Sequence, residues 1–163
     1  MVDWLAIIRS YHAKAHANDG YRLVTGPPAS NAALDALQEW AGFQLPDEFR
    51  SFYSVMDGFG IADDDRASAD TSWFFRPTDQ IEPFTKEIRK WFQETHEAYA
   101  LRFLSFIDFG NGDGMGYVEE EAGRPFDALF CFNHEAYRFD HDQDVNEFLE
   151  YLPVSLQEFL SSI

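Results

Sequence analysis

The sequence is short of cysteine, of basic residues and of long apolar runs. Cys131 is the only cysteine among 163 residues, so an intrachain disulfide and a thiolate metal cage are both excluded. No apolar run approaches the roughly 20 residues that span a bilayer, and Met1 is not followed by a basic and then an apolar segment. We therefore expect a cytoplasmic protein, and the lack of paired cysteines fits a reducing compartment.

Positive charge is scarce, and its scarcity is uneven along the chain. Twelve Lys and Arg stand against 29 Asp and Glu, which gives a formal net charge of −17. Residues 1–56 carry 4 bases and 6 acids, whereas residues 108–150 carry 2 bases and 12 acids. Because such a surface repels phosphate backbones, the composition argues against nucleic acid as a direct partner.

The chain also lacks any linker that would divide it. Its content of 45% hydrophobic and 17% aromatic residues is enough to bury one sizeable core. No stretch rich in proline, glycine and serine separates two halves, and no block of sequence repeats. We therefore predict one domain that covers residues 1–163.

Apolar residues spaced three and four positions apart predict several helices. One starts at Asp3, a second is capped by Ser30 or Asn31, and a third starts at about Thr85 with Trp91 on its apolar side. The chain ends in SLQEFLSSI, whose first and fourth residues have the spacing of a capping box. Helices are thus expected in the first half and at the end of the chain.

The best specified helix follows Leu45. Pro46 suits the first helical position, and the two acids after it complement the positive end of a helix. Large side chains then recur at positions i, i+3, i+4 and i+7, namely Phe49, Phe52, Tyr53 and Met56. With Gly58 and Gly60 expected to end it, this helix is predicted to be core and not interface.

The second half of the chain changes to short aromatic and β-branched runs. After an earlier candidate strand, SWFFRP, these runs are LRFLSFIDF, MGYVEE, ALFCFNH and AYRFDHD, and they predict an antiparallel meander. Residues 144–152 fit a helix or a loop. Helices grouped first and strands later predict an α+β fold, in which the sheet packs one face on the N-terminal and C-terminal helices and leaves the other face free.

The segment FIDFGNGDGMGYVEEE, residues 106–121, has glycine at four alternate positions. It lacks the Lys-Ser/Thr pair and the following helix of a phosphate loop, and Asp108 and Asp113 would repel phosphate. It is not an EF-hand either, because Gly110 and Gly112 stand where chelating side chains are required. A hairpin turn whose glycines adopt positive φ is the favoured interpretation.

A second acidic segment comes closer to a calcium loop. Asp140, Asp142 and Asp144 occupy its first, third and fifth positions, but Val145 replaces the required glycine and Tyr151 the bidentate acid. The segment also fits a polar strand end that leads to a capped helix, since Asp144 and Glu147 have the spacing of a capping box, and this is the favoured interpretation. We therefore expect no metal and no other cofactor.

Two groups of residues have a superficial resemblance to reactive sites. Cys131, His134 and Glu135 suggest a nucleophile and base, but strand alternation turns the cysteine and the histidine to opposite faces, which favours a buried, inert thiol. His12 and His16 have the spacing of a zinc pair without the acid of the zinc motif, so a helix surface is favoured. No catalytic residue is predicted.

Four short blocks, taken in order, resemble the SUKH superfamily: LPDEFRSFYSVMDGFG, IDFGNGDG, FNHEAYRFDHD and SLQEFL. That superfamily contains fungal regulators of cell-wall synthesis and bacterial immunity proteins of polymorphic toxin systems. Asp57–Gly58 stands where the family has Asn-Gly, and both the aromatic helix around Trp91 and the insertion EEEAGRPFDA depart from its pattern. The resemblance implies protein binding and no shared chemistry.

Resemblance and charge together predict a cytoplasmic immunity protein that binds and occludes a toxin, such as a nuclease with a basic surface. A housekeeping regulator or scaffold of the same fold is the alternative, and a hydrolase or calcium-dependent enzyme is a third, less favoured interpretation. The hairpin is expected to present carboxylates on one rim of the sheet. The predicted partner-binding carboxylates are Asp63, Asp64, Asp65, Asp108, Asp113, Glu119, Glu120 and Glu121.

Overall fold

A computed structural model describes residues 2–64, 70–121 and 123–163, and within them the fold is α+β, as predicted. None of the helices in those ranges is long and apolar enough to cross a bilayer. In chain order the elements are α1 (Trp4–Ala15), β1 (Tyr21–Thr25), α2 (Asn31–Ala41), α3 (Asp47–Tyr53), β2 (Phe59–Asp63), β3 (Ser72–Phe75), α4 (Thr78–Phe92), α5 (Glu97–Ala100), β4 (Phe103–Asp108), β5 (Gly114–Glu121), β6 (Arg124–Pro125), β7 (Leu129–Phe132), a 3-10 turn (Val145–Glu147), β8 (Leu149–Leu152) and α6 (Leu156–Ser162).

The strands form one antiparallel sheet in the order β1-β2-β3-β4-β5-β7-β8, with the short β6 beside β5. The sequence did not predict β1, β2, β6 or β8. The predicted strand AYRFDHD is wrong, because the Asn133 side chain accepts hydrogen bonds from the amides of Glu135 and Ala136 and turns the chain away from the sheet. The three runs that precede it correspond to β4, β5 and β7.

The directions of the strands distinguish two ends of the sheet. β4 and β5 are joined by a tight turn, so that Asp108 pairs with Gly114, and Phe132 at the end of β7 also pairs with Gly114. β2 runs parallel to β4, since both are antiparallel to β3. The C-terminal ends of β2, β4 and β7 therefore lie together, at what we call the hairpin end; the opposite end of the sheet is the far end.

One face of the sheet packs on the N-terminal and C-terminal helices. Trp4 of α1, Phe52 of α3 and Leu160 of α6 are buried there against Phe59 and Phe106 of the sheet. The predicted C-terminal capping box is confirmed in α6. All four large residues predicted for α3 are buried, although Met56 lies beyond the end of that helix, Pro46 precedes it, and Gly60 belongs to β2.

The opposite face of the sheet is not free, contrary to the prediction. Phe84, Ile88 and Phe92 of α4 pack on it with Phe103 and Phe132 in a second core. α4 also begins earlier than predicted, at Thr78. The Asp57 carboxylate accepts hydrogen bonds from the Thr78 amide at 2.7 Å and from its hydroxyl at 3.0 Å, and so caps the helix from 21 residues earlier in the chain.

Candidate functional site

The first two of the four alternating glycines form the hairpin turn, as predicted. Gly110 has φ of 72° and Gly112 has φ of 101°, in the left-handed region that glycine adopts without a steric penalty. A Cβ at Gly112 would also lie 3.2 Å from the ring of His134. The turn is therefore shaped to bring a side chain of the segment after β7 over its backbone.

The other two glycines have a different role, in the interior of β5. A Cβ on Gly114 would lie 2.5 Å from the Ser105 hydroxyl oxygen and 3.1 Å from Ile88, and a Cβ on Gly116 would lie 1.7 Å from the Leu104 carbonyl oxygen. These positions have no room for a side chain because β4 bulges here and α4 packs closely on the sheet. The glycine alternation thus combines a turn with a strand.

Asp108, one of the predicted partner-binding carboxylates, is engaged inside the protein. It forms an ion pair with Arg76, and it accepts a hydrogen bond from the Gly110 amide at 2.8 Å. Its side chain is only 13% exposed. Asp108 therefore joins the hairpin to the end of β3 and offers little carboxylate surface to a partner.

Asp113 connects the hairpin to the segment that follows β7. One carboxylate oxygen accepts hydrogen bonds from the His134 amide at 2.9 Å and lies 2.7 Å from the ring Nδ1, while Asn111 donates to the other at 3.1 Å. Burial alone would raise the pKa of Asp113, but these hydrogen bonds from His134 and Asn111 hold it below its ordinary value. Asp113 thereby fixes the position of His134.

Beside His134 lies an exposed group of aromatic rings that the sequence did not predict. Trp91 at the end of α4 is 38% exposed and Phe139 is 66% exposed. The Trp91 ring centroid lies 5.8 Å from that of His134 and 6.2 Å from that of Phe139. We call Trp91, His134 and Phe139 the aromatic patch. The predicted inward orientation of Trp91 is wrong, since Phe92, the next residue, takes the buried position.

The backbone of Phe139 is unusual, with φ of 55°, the only positive value for a residue other than glycine in the described ranges. The loop around it is held by Gln143, a buried polar residue that is only 4% exposed. The Gln143 amide group accepts from the Arg138 amide at 2.9 Å and donates to the Ala136 carbonyl at 2.8 Å. His96 lies 2.8 Å from the Gln143 carbonyl and anchors it to the segment after α4.

Carboxylates surround the aromatic patch. Glu87 lies one helical turn before Trp91, Glu135 follows His134, and Asp140 follows Phe139. Within the described part of the chain neither Glu87 nor Glu135 has an ion-pair partner, and Arg138 is paired with Glu147 at 2.8 Å. The patch is therefore apolar at its centre and negative around it.

A cleft of about 160 Å³ lies at the hairpin end, on the face of the sheet that packs against α1. Its lining includes Tyr11 and His12 of α1, His16 just after that helix, and the rings of Phe74 and Phe109. The His12 ring lies 3.1 Å from the Tyr21 carbonyl, and the His16 ring lies 2.6 Å from an Asp19 carboxylate oxygen. Across the described residues no group of three His, Cys, Asp or Glu could hold a metal ion.

The predicted partner-binding carboxylates do not share one rim. Asp63 and Asp64 lie at the hairpin end with Asp108 and Asp113, whereas residues 119–121 lie at the far end, about 20 Å along β5 at the usual rise per residue. The expectation of one rim is therefore wrong. At the far end Glu120 is exposed, and the Glu119 carboxylate accepts a hydrogen bond from the Gly123 amide at 2.5 Å. Two predicted residues cannot be placed, because Asp65 and the side chain of Glu121 lie outside the described residues.

Cys131 and His134 do not form a nucleophile and base. Burial, together with the nearby carboxylates of Asp113 and Glu150, raises the pKa of the half-buried thiol to about 12, so the thiolate is scarce at neutral pH. The His134 ring is hydrogen-bonded to Asp113 instead. These observations favour the predicted inert thiol.

The fold defines a class of protein, an α+β domain in which helices cover both faces of an antiparallel sheet. The family model of the SMI1 / KNR4 family (SUKH-1) matches residues 28–162. The chain belongs to this family, as its four sequence blocks predicted. A comparison with curated proteins found no match.

The polar residues of those four blocks hold the fold together. Glu48 accepts a hydrogen bond from the Leu156 amide at 2.9 Å, which fixes the start of α6, and another from the Tyr117 hydroxyl at 3.2 Å. Asp57 caps α4, and Asp113 positions His134. The blocks therefore account for how the helices and the hairpin are joined.

Proposed function

We propose that the chain is a protein-binding module without catalytic activity that neutralises a cognate basic toxin by covering its working surface. Family membership supports a binding role, and the net charge of −17 supports a basic partner. The observation that carries the proposal is that exposed carboxylates collect at the hairpin end without ion-pair partners in the described ranges. These carboxylates include Asp64, Glu135 and Asp142.

Electrostatics gives this arrangement a defined consequence. Exposed charges at the rim of an interface act over the screening length of the solution, so they raise the association rate more than they slow dissociation. An acidic surface facing a basic groove can raise association rates by about 10 to 10³ at low ionic strength. Affinity then depends on the buried contacts at the centre of the interface.

Two matched charge variants test which end of the sheet meets the partner. Asp64→Asn, Glu135→Gln and Asp142→Asn together remove three charges from the hairpin end, and Glu119→Gln, Glu120→Gln and Glu121→Gln together remove three from the far end. With the partner copurified from the native host, stopped-flow mixing measures association between about 10 mM and 1 M salt, where the screening length falls from about 30 Å to about 3 Å.

We expect the hairpin-end variant to associate about tenfold more slowly at low salt and to approach the parent protein at 1 M. The far-end variant should be affected less, because about 20 Å separates its charges from the hairpin end. A rate constant that neither variant changes at any salt concentration would exclude electrostatic recruitment of the partner. A stronger effect of the far-end variant would place the interface at the opposite end of the sheet.

Expression of the partner alone distinguishes immunity from a regulatory role. A toxin partner should arrest growth of the host, and coexpression of this chain should restore it. A partner that is harmless alone would contradict immunity and support the alternative of a regulator or scaffold of the same family.

A further inference from the structure

We propose that the aromatic patch is the anchor of the interface and receives an arginine side chain of the basic partner. The inference deepens the proposed function and rests on it, since it assigns the central contact of the same interface. Three features carry it: the rigid display of Phe139, the lack of a cation on Trp91, and the negative charge around both rings.

Contacts within its own loop hold the Phe139 ring in an exposed position. A bulky residue at positive φ is rare and unfavourable, and it persists only where surrounding contacts fix it. The buried Gln143 supplies some of those contacts: its side chain binds Ala136 and Arg138 before Phe139, and its backbone amide donates to the Asp140 carbonyl after it. Tyr137 supplies another, since its ring centroid lies 4.7 Å from that of Phe139. A ring fixed in advance loses little entropy on binding, as an interface anchor requires.

Trp91 differs from two other rings at the surface, Trp40 and Tyr99, each of which already carries an arginine. Arg89 lies 5.0 Å from the ring centroid of Trp40, and Arg102 lies 5.0 Å from that of Tyr99. No arginine or lysine lies over Trp91 within the described ranges. An indole is the best ring acceptor for a guanidinium, and Trp and Arg are enriched in the centres of protein interfaces.

The negative charge around the aromatic patch favours a cationic side chain of the partner over an apolar one. Residues 133–147 contain five acids and one arginine, and that arginine is already paired with Glu147. Lys90 is the base next to Trp91 in sequence, but consecutive helical residues point about 100° apart. A guanidinium on the patch would therefore stack on Trp91 or Phe139 while Glu135 and Asp140 satisfy its donors.

The test uses hexa-arginine amide as the probe, with hexa-lysine amide as a probe of equal charge, at 0.15 M salt. Calorimetry gives the dissociation constants, and the indole N–H signals in nitrogen-15 NMR, assigned with Trp91→Phe, locate the contact. We expect the Trp91 signal to shift saturably and hexa-arginine to bind more tightly than hexa-lysine. Phe139→Gly and Trp91→Gln should each weaken hexa-arginine at least about fivefold.

Phe139→Gly is the informative variant because glycine adopts positive φ freely, so the variant should melt no lower than the parent protein. Leu101→Ser is the matched control: Leu101 is 60% exposed and precedes β4 at the far end, and its loss should leave binding unchanged. Equal affinity of the parent protein and both patch variants for hexa-arginine would overturn the inference. Self-association lost with Trp91→Gln, seen by sedimentation, would overturn it too, by assigning the patch to a second copy.

The hairpin-end charge variant separates this inference from the proposed function. If removing the three hairpin-end charges weakens hexa-arginine while the patch variants do not, the anchor is refuted and the acidic binding surface stands. If the cognate partner of the parent protein associates independently of salt and charge, the proposed function is refuted together with the anchor.

Discussion

Replacement of Phe52 by alanine tests the first core most directly. Phe52 is fully buried and lies among four aromatic rings, with centroid distances of 5.5 Å to Trp4, 5.1 Å to Tyr53, 6.2 Å to Phe59 and 5.0 Å to Phe75. These rings belong to α1, α3, β2 and β3, so the cavity would lie where two helices meet the sheet. Rigid aromatic walls on every side leave it little freedom to collapse.

The magnitude follows from two contributions. A phenyl-sized void of roughly 100 Å³, at about 24 cal/mol per Å³, costs about 2.4 kcal/mol. Loss of the transfer free energy of the ring adds about 2 kcal/mol. We therefore expect Phe52→Ala to lower the free energy of unfolding by about 4 kcal/mol, within the range of about 3–5 kcal/mol that buried Phe→Ala replacements show.

Urea unfolding followed by far-ultraviolet circular dichroism measures the loss as a shift of the midpoint at unchanged slope. Phe139→Ala supplies the control, because it removes the same ring from a 66% exposed position and should change stability by less than about 0.5 kcal/mol. A loss below about 1 kcal/mol for Phe52→Ala, or equal losses for the two variants, would show that α3 is not packed as described.

Three further expectations concern the thiol, the hairpin carboxylate and the glycines. Because the pKa of Cys131 is raised to about 12, a disulfide reagent at pH 8 should modify it far more slowly in the folded protein than in urea. The lowered pKa of Asp113 contributes stability above about pH 4 that is lost as the pH falls through the lowered value, so Asp113→Asn should cost about 1–3 kcal/mol at pH 7 and less in acid, measured by urea unfolding. Gly116→Ala should destabilise the fold by more than about 3 kcal/mol, whereas Gly110→Ala, with open space around it, should cost about 1 kcal/mol; similar losses would contradict the two glycine roles.

The sequence predicted those parts of the fold that local signals determine. The buried face of α3, the capping box of α6 and the β4–β5 hairpin follow from spacing within a few residues, and all three are confirmed. The start of α4 is set instead by Asp57, a distant residue whose carboxylate caps Thr78. A helical period can identify an apolar face, but it does not show how far a remote cap extends the helix or whether that face covers the free side of a sheet.

The aromatic patch shows why the site was harder to predict than the fold. Trp91 has the spacing of a buried helical residue, yet only Phe92 beside it fits between α4 and the sheet. Phe139 continues what the pattern predicts to be a strand, and the buried amide of Gln143 overrides that tendency through contacts that propensity does not include.

These two residues also differ in how they relate to the family. Phe139 and His134 lie in the third block that resembles the SUKH pattern, whereas Trp91 lies in the aromatic helix that departs from it. The blocks supply the hydrogen bonds that bring the hairpin end together, through Asp57 and Asp113. Position 91 lies outside these blocks and takes no part in those hydrogen bonds. In the interface proposed above, a change at position 91 would alter the contact surface without disturbing the bonds that hold the fold, so we expect partner choice to depend on position 91 more than on the hairpin.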